Sequence, residues 1–381
     1  MKRPTLLATI LVISSFALLS CGGGSSASGG GFGSGGGGGS SAGTPVYVSN
    51  SSGSSVSFYR LNGTSGALQR GTGSPVVTGG SSPDSLAVDP AKKFLLVSNI
   101  SSASISVFTV NSTTAALTAV NGSPFAAGAS ATRLVADPKG NFVYGLSATP
   151  AQILAYSLDA TTGALTPLAG FPLSLSASGQ SGLAISPNGQ FLYTSNPNTN
   201  LITGFSVGTN GALTQLAVTT SPSKGSPVFL AFDGSGSFLF AVNGGGNLGG
   251  PSVSVFSVSA TGVLTEVTGS PTPVGTAPVA AVFSQGFLYV LNQTSGTISA
   301  FVFTTSTGQL AELKGSPFTI GTRPVSLTTA ALGKFLIVTT TGTSGSGSIA
   351  VFSIAADGTL TAVTGSPFTP DTAAPDQVLA L

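Results

Sequence analysis

Hydrophobic residues lie along this chain in short runs rather than in long or helically spaced stretches. The runs hold four to seven residues of Val, Ile, Phe, Tyr, Leu and Ala, as in "FLLVSN" (94–99) and "ISVFTV" (105–110). Gly, Pro, Asn, Asp and Ser bound each run, a pattern typical of short β-strands joined by turns. Pro and Gly stand where tight turns need them in "SPNGQ" (186–190) and "DPKGN" (137–141). The pattern therefore predicts an all-β chain.

The runs recur with a fixed period. The segment "LTAVNGSPF" (117–125) returns almost unchanged as "LTAVTGSPF" (360–368), and five related versions occur elsewhere. Three other runs repeat in step with it, for example "FLYTSN" (191–196), "VSVFSV" (253–258) and "LAISP" (183–187). Each repeat thus holds four predicted strands, and there are seven repeats. The prolines that mark them, spaced 46 to 50 residues apart, are Pro75, Pro124, Pro172, Pro222, Pro271, Pro317 and Pro367.

Seven four-stranded repeats predict a seven-bladed β-propeller over residues 45–381, and a linear solenoid is the alternative. The two ends of the chain favour a closed ring. The C-terminal "PDQVLAL" (375–381) is an inner-strand segment with no outer strands after it, whereas "PVYVSN" (45–50) has no inner strand before it. We therefore expect the C-terminal strand to pair with blade one. The "GSP" segment would then form the outermost strand of each blade and the crossing to the next.

The N-terminus predicts export and a lipid anchor. Residues 1–20 have a basic start and then an apolar run of the length of a signal-peptide core. "LLSC" (18–21) resembles the lipobox of bacterial lipoproteins, which implies lipidation of Cys21; an ordinary secretory signal is the alternative. Residues 21–44 hold this cysteine and a Gly/Ser linker. We expect a cell-envelope protein, bound to a membrane through Cys21 and placed in the outer membrane where the cell has one.

Composition excludes several kinds of chemistry. The chain has no histidine and one cysteine, so it cannot build a Ser-His-Asp triad, a His-containing zinc site or an intrachain disulfide. Only 6% of residues are charged, and without the basic residues of the leader the two signs balance at ten each. A neutral surface does not steer nucleic acid. We expect a monomer with no nucleic-acid partner, no metal site and no cofactor.

The repeat resembles that of the seven-bladed lactonase family, which includes bacterial 6-phosphogluconolactonase. The residues that carry the resemblance are blade patterns such as "LAVDPAKKFLLVSNISSASISVFTV" (86–110) and "LAISPNGQFLYTSN" (183–196). It implies a propeller over residues 45–381 and, for the family's enzymes, a Pro-Arg-His motif entering an inner strand. The chain departs from that motif, because the position of the histidine is never His. It holds Ser85, Arg133, Gly182, Phe229, Ala280, Ser326 and Gln377.

A ligand site is expected at the mouth of the channel, in the loops that lead into the innermost strands. In ring order these loops place polar residues in blades seven, one, two, three and four, whereas blades five and six offer only "SPVF" (226–229) and "APVA" (277–280). The alternative is that Asp84 with Arg133, and Arg323 with Asp376, merely form ion pairs between adjacent blades. The predicted binding residues are Asp84, Arg133, Gln180, Arg323, Asp376 and Gln377.

Two functions remain open at this point. The first is a lipoprotein whose propeller binds a small molecule or a protein, or acts as a scaffold, without strong catalysis. The second is a lactonase-like hydrolase, in which Asp84 or Asp376 is the base that activates water and Arg133 or Arg323 polarises the carbonyl group. The absent histidine favours the first, and the polar arc of the mouth favours the second.

Overall fold

The computed structural model describes residues 43–217, 221–222, 225–245, 249–343, 347–372 and 374–381. The predicted signal peptide, Cys21 and most of the linker lie outside the described residues. The described chain is all-β and forms seven antiparallel sheets, which are the blades of a seven-bladed propeller. The predicted fold class is confirmed. In the part of the chain that the structure describes, no helix is long and apolar enough to cross a membrane.

Each blade is built from four strands in the order that the repeats predict; they are consecutive in blades two to seven, whereas blade one takes its innermost strand from the C-terminus. From blade one to blade seven, the innermost strands are Val378–Ala380, Pro83–Val88, Ala131–Ala136, Gly182–Ile185, Pro227–Phe232, Pro278–Ser284 and Pro324–Ala330. The second strands are Thr44–Asn50, Phe94–Asn99, Phe142–Ala148, Phe191–Asn196, Phe238–Asn243, Phe287–Asn292 and Phe335–Thr340. The third strands are Ser55–Leu61, Ser104–Val110, Ala151–Leu158, Leu201–Val207, Ser252–Val258, Thr297–Thr304 and Ser348–Ile354. The outermost strands are Leu68–Arg70, Leu117–Ala119, Leu165–Pro167, Leu213–Gln215, Leu264–Glu266, Gln309–Glu312 and Leu360–Ala362.

The crossing segment after each outermost strand adds pairing that the sequence did not predict. It returns to the third strand as a two-residue strand in blades one to six, and as a single bridge between Ile349 and Phe368 in blade seven. Between the two short pairings, the serine of "GSP" accepts a hydrogen bond from a third-strand N–H group, for example Val107 to Ser123 at 2.9 Å. The repeated segment thus satisfies a backbone donor at an interrupted edge. The six short strands are Val76–Val77, Phe125–Ala126, Leu173–Ser174, Ser221–Pro222, Thr272–Pro273 and Phe318–Thr319.

The core lies between neighbouring blades. Strands alternate their side chains between two faces, and both faces of a blade are covered by the blades beside it, so the second and third strands are buried almost throughout. Four second-strand tyrosines also link each blade to the next through a buried hydroxyl group. Their O–H groups donate to carbonyl groups in the outer hairpin of the following blade: Tyr47 to Ala115, Tyr144 to Gly211, Tyr193 to Gly262 and Tyr289 to Gly358.

The ring closes as predicted. The C-terminal strand Val378–Ala380 pairs antiparallel with Thr44–Asn50, with Val48 opposite Val378 and Val46 opposite Ala380. The side chain of Val378 is buried, and it joins a cluster that also contains Ile337 of blade seven. Blade one is therefore composed of both ends of the described chain.

Candidate functional site

The innermost strands begin with an irregularity that directs side chains towards the channel. In blades two, three, five, six and seven, the pairing with the second strand shifts register at the start of the innermost strand, as it does between Pro83 and Leu86. Such β-bulges re-aim the side chains of the extra residues. Asp84 lies within the bulge of blade two, and Arg133 follows the bulge of blade three.

A cavity of about 240 Å³ lies where these strands begin, and it is the mouth cavity of the channel. Its wall has two unlike halves, as the sequence predicts. Blades one, two and three supply the polar half, which consists of Asp376, Gln377, Asp84 and Arg133. Blades five, six and seven supply the other half, made of Phe229, Val279, Ala280 and Val325 together with Ser326.

Four of the six predicted site residues therefore share this cavity, and two lie elsewhere. Gln180 is buried in blade four, where its Nε2 donates to the carbonyl oxygen of Ala177 at 3.1 Å, and it lines a separate cavity with Thr203. Arg323 is exposed and lines another cavity with Gln293. The polar arc is thus shorter than the sequence predicts, since blade seven contributes Val325 and Ser326 in place of Arg323.

Asp84 and Arg133 face each other without a close hydrogen bond. The Oδ2 atom of Asp84 lies 3.9 Å from Nη1 of Arg133, and the two side chains are 31% and 33% exposed. Burial raises the pKa of the Asp84 carboxyl group, the charge of Arg133 lowers it, and the charge of Asp376 raises it further. Within the described residues, this carboxylate accepts no hydrogen bond. It is therefore a partly buried carboxylate with a free lone pair at the cavity wall.

The other polar groups of the cavity wall are held by the backbone. The Oδ2 atom of Asp376 accepts a hydrogen bond from the Ser51 N–H group, with 2.9 Å between Oδ2 and the nitrogen. The Oε1 atom of Gln377 accepts the Leu86 N–H. The alternative in which Arg323 and Asp376 form an ion pair is wrong for the described chain. The carboxylate of Asp376 accepts the Ser51 N–H group instead. The pair between Asp84 and Arg133 does form, although at the long limit for an ion pair.

Arg133 keeps part of its guanidinium group available. Its Nη1 atom donates to the carbonyl oxygen of Thr132 at 2.9 Å, which fixes the side chain against its own strand. Its Nε atom is buried and has no hydrogen-bond partner among the described residues. A ligand in the cavity can therefore reach only the exposed part of the guanidinium group, since the side chain as a whole is 33% exposed and its Nε atom is not accessible.

Ser49 is a site residue that sequence reasoning missed. Its buried hydroxyl group donates to the carbonyl oxygen of Asp84 at 2.8 Å and accepts the Gln377 N–H at 3.0 Å. It therefore joins the loop of Asp84 to the C-terminal segment. The sequence contains only a weak signal for it, because Ser also occupies the matching place in the "SN" ends of blades two and four.

Among the residues that the structure describes, no group of three or more His, Cys, Asp or Glu side chains is arranged to hold a metal ion. The chemistry available at the mouth is that of the partly buried Asp84 carboxylate, the Asp376 carboxylate bound to a backbone N–H, one guanidinium group and an apolar surface opposite them.

Comparison with known families decides which propeller this is. The model of the lactonase family of seven-bladed β-propellers matches residues 39–132, 122–248 and 246–372. The chain belongs to this family. The resemblance drawn from the blade patterns is thereby confirmed, and the departure from the family's histidine motif is a property of a true member. No curated protein sequence matches the chain.

Solved structures with the same fold include three bacterial proteins. A protein from Bacteroides uniformis, provisionally described as a 6-phosphogluconolactonase, is 18% identical and has a TM-score of 0.76. The match covers 90% of this lactonase-family chain and 100% of the Bacteroides protein. One from Bacteroides fragilis with the same description is 20% identical, with a TM-score of 0.73 over 89% and 98%. The periplasmic gluconolactonase of Pseudomonas aeruginosa is 18% identical, with a TM-score of 0.71 over 89% and 99%. At these identities the likeness shows the fold alone.

Proposed function

We propose that this lactonase-family propeller binds a small lactone at the mouth of its channel and hydrolyses it, with Asp84 as the base. The observation that carries the proposal is the carboxylate of Asp84. It faces Arg133 across 3.9 Å in a cavity whose opposite wall is apolar, and no hydrogen bond occupies it. The names of the fold neighbours, which refer to gluconolactonases, point to the same class of substrate.

The reaction follows from these two groups. Asp84 accepts a proton from a water molecule as its oxygen attacks the lactone carbonyl carbon. The negative charge that develops on the carbonyl oxygen is stabilised by the positive charge of the Arg133 guanidinium group, which lines the cavity and is 33% exposed. The ring C–O bond then breaks, and the leaving oxygen takes the proton back from Asp84. The product is an open-chain hydroxy acid, and the apolar residues Phe229 and Val279 would contact the carbon skeleton.

The raised pKa of Asp84 suits this role. A carboxylate with an ordinary pKa is a weak base, and burial together with the charge of Asp376 makes Asp84 a stronger one. Asp376 itself is a poorer candidate for the base, because its carboxylate already accepts the Ser51 N–H. Of the alternatives in the sequence, Asp84 with Arg133 is therefore the better supported pair.

A binding or scaffolding role without turnover is the second candidate. It is favoured by the absence of histidine from the whole chain and by the engagement of Asp376 and Gln377 with the backbone. Such a site would hold a polar ligand between Arg133 and the apolar wall, and it would leave the ligand unchanged.

The test is hydrolysis of a panel of aldonic and aliphatic lactones by the mature chain, with Asp84→Asn and Arg133→Met beside the parent. We expect turnover that falls at least about a hundredfold in Asp84→Asn, the range typical of a general base. Asp357→Asn, in an exposed hairpin, is the matched control and should keep full activity. Lactone binding without turnover in the parent would establish the second candidate, and turnover that survives Asp84→Asn would exclude this base.

We also propose that the protein is exported and held at a membrane by a lipid on Cys21. The proposal rests on the apolar leader and on the resemblance of residues 18–21 to a lipobox. The periplasmic location in the name of the Pseudomonas aeruginosa neighbour agrees with export.

A further inference from the structure

The two halves of the mouth cavity are built on equivalent positions of the repeat. The chain approaches the innermost strands of blades one, two, six and seven through a proline. The residue after that proline is Asp376 in blade one and Asp84 in blade two, whereas blades six and seven hold Val279 and Val325 there. All four of these residues line the cavity. The wall therefore changes from carboxylate to hydrocarbon at one and the same place in the blade.

The backbone presents the two valines as it presents Asp84. The pairing between the innermost and the second strand skips Val279 in blade six and Val325 in blade seven, as it skips Asp84 in blade two. All three lie in β-bulges, which re-aim the side chains of the extra residues. Phe229 follows the corresponding bulge of blade five, and it lines the cavity together with Ala280. We call Phe229, Val279, Ala280 and Val325 the apolar wall.

The side chains that a ligand could use for hydrogen bonds lie away from the apolar wall. Ser326 is the one polar residue in this half of the cavity lining, and it is only 9% exposed. Its hydroxyl oxygen already accepts the Val378 N–H at 3.2 Å. In the other half, the side chains of Asp84 and Arg133 are 31% and 33% exposed. The cavity is thus amphipathic, with its accessible charges on one side and hydrocarbon on the other.

This division orients a lactone that is hydrolysed at the mouth. Its carbonyl group must lie beside Asp84 and Arg133, so the substituents on the far side of its ring face the apolar wall. Each methylene group buried there strengthens binding about fourfold. A hydroxyl group in the same place loses its hydration and finds no side-chain partner, which weakens binding about tenfold.

The charges of the cavity also disfavour a phosphorylated sugar. Asp84 and Asp376 line the cavity, and Arg133 is the one cationic side chain of its lining. A phosphate group would therefore meet two carboxylates for one guanidinium group, and electrostatic repulsion would oppose its binding.

We propose that the apolar wall selects lactones whose ring carries an alkyl chain and discriminates against polyhydroxylated sugar lactones. The proposal rests on the hydrolysis proposed above, for which it names the class of substrate. The names of the fold neighbours refer to sugar lactones, but their identities of 18% and 20% establish a common fold and not a common cavity wall.

The experiment compares kcat/KM of the mature chain for alkyl δ-lactones of increasing chain length with kcat/KM for glucono-δ-lactone and its 6-phosphate. Each kcat/KM is divided by the rate of the uncatalysed reaction, because sugar lactones open readily in water. We expect this ratio to rise about fourfold with each methylene group until the cavity is full. The best alkyl lactone should exceed glucono-δ-lactone by at least about tenfold.

Val325→Thr tests the wall itself, because threonine has the shape of valine and adds a hydroxyl group. Val325 belongs to none of the buried apolar clusters of the described chain, so the fold should tolerate the change. We expect kcat/KM to fall at least about fivefold for the alkyl lactone and not to fall for glucono-δ-lactone. Val302→Thr, in the third strand of blade six and 40% exposed, is the matched control and should change neither. An equal loss on both substrates in Val325→Thr would overturn selection by the wall.

Binding to the parent distinguishes this inference from the proposed hydrolysis. Calorimetry with alkyl δ-lactams and with gluconolactam, which open far more slowly than the lactones, measures selection without turnover. Tighter binding of the alkyl lactam in a chain that hydrolyses no lactone would support the wall and refute the hydrolysis. A chain that hydrolyses glucono-δ-lactone as well as the alkyl lactones would overturn the selection and leave the hydrolysis standing. Failure to bind either lactam would overturn both.

Discussion

Removal of residues 375–381 should destabilise the whole propeller, because this short segment joins the two ends of the described chain. Besides the pairing of Val378–Ala380 with the second strand of blade one, it supplies three backbone hydrogen bonds to that strand: Ser49 N–H to the Gln377 carbonyl, Asp376 N–H to the Ser49 carbonyl, and Leu381 N–H to the Pro45 carbonyl, at 2.9–3.1 Å. It also buries Val378, whose side chain is only 2% exposed, between blades one and seven.

The loss can be estimated from these contacts. The three hydrogen bonds outside the strand pairing contribute about 1 kcal/mol each, and burial of a valine contributes about 2 kcal/mol, so their sum is a lower limit. The truncation would also leave Ser326 without the Val378 N–H that its hydroxyl group accepts at 3.2 Å. We expect a loss of at least about 5 kcal/mol, which is a large part of the 5–15 kcal/mol that stabilises a typical domain.

The assay is urea unfolding of the truncated chain beside the parent and beside a deletion of Gly35–Ser41, which removes the same number of residues from the linker. The linker deletion should unfold like the parent. Val378→Ala keeps Asp376 and Gln377 in place and should lower the free energy of unfolding by about 2 kcal/mol. It therefore measures the contribution of the C-terminal strand even if the truncated chain does not fold. A truncated chain that unfolds with the parent's midpoint would refute the closed ring and favour an open stack of repeats.

Three further predictions concern the anchor, an ion pair with one buried partner, and pH. Cys21→Ser should move the protein from the membrane fraction to the soluble fraction, and a variant that still sediments with membranes would contradict lipid anchoring. Arg70→Met should lower the free energy of unfolding in urea by about 2 kcal/mol. The Nε atom of Arg70 lies 2.6 Å from a carboxylate oxygen of Asp371, and this oxygen would stay buried without an ion-pair partner. Because Arg70 is 58% exposed, the loss should be smaller than that of a fully buried pair. Stability should be flat from about pH 6 to 8, because no histidine titrates there, and should fall as the pH rises above about 10. Burial raises the pKa of Tyr59 and of Tyr156 to about 12, so the unfolded chain loses these protons first; a melting temperature that is unchanged up to pH 11 would contradict this.

Blade number, strand order and ring closure could be predicted because the chain repeats itself. The seven related segments, five of which read "GSP", set the period, and the unpaired ends at 45–50 and 375–381 show where the ring closes. The extra short pairing after each outermost strand could not be predicted, since a pairing of one or two residues has no periodicity of its own. Its physical reason appears only in the fold, where the serine of "GSP" meets a free third-strand N–H group.

The site could be predicted only in part, and the errors have a common cause. Asp84, Arg133, Asp376 and Gln377 share the mouth because equivalent places in the repeats lie at the same end of the channel. Arg323 occupies the residue before the innermost strand, where a φ of 53° turns the chain, and its side chain lines a different cavity.

Gln180 likewise precedes its innermost strand, which starts at Gly182. Ser49 was missed because its role depends on contacts with residues 35 and 328 positions away. Spacing along the chain identifies the loop that reaches the mouth, but the backbone of that loop decides which of its side chains enters the cavity.

The pH dependence of kcat/KM on the best lactone of the panel decides whether Asp84 is the base. If Asp84 is the base, it must be ionised, so activity should fall as the pH drops through its raised pKa, above the ordinary range of an aspartate. In Asp376→Asn the acidic limb should move to lower pH, because one of the charges that raise this pKa is removed. A limb that stays in place in Asp376→Asn, or activity that persists in Asp84→Asn with the same pH profile, would contradict hydrolysis at the mouth by Asp84.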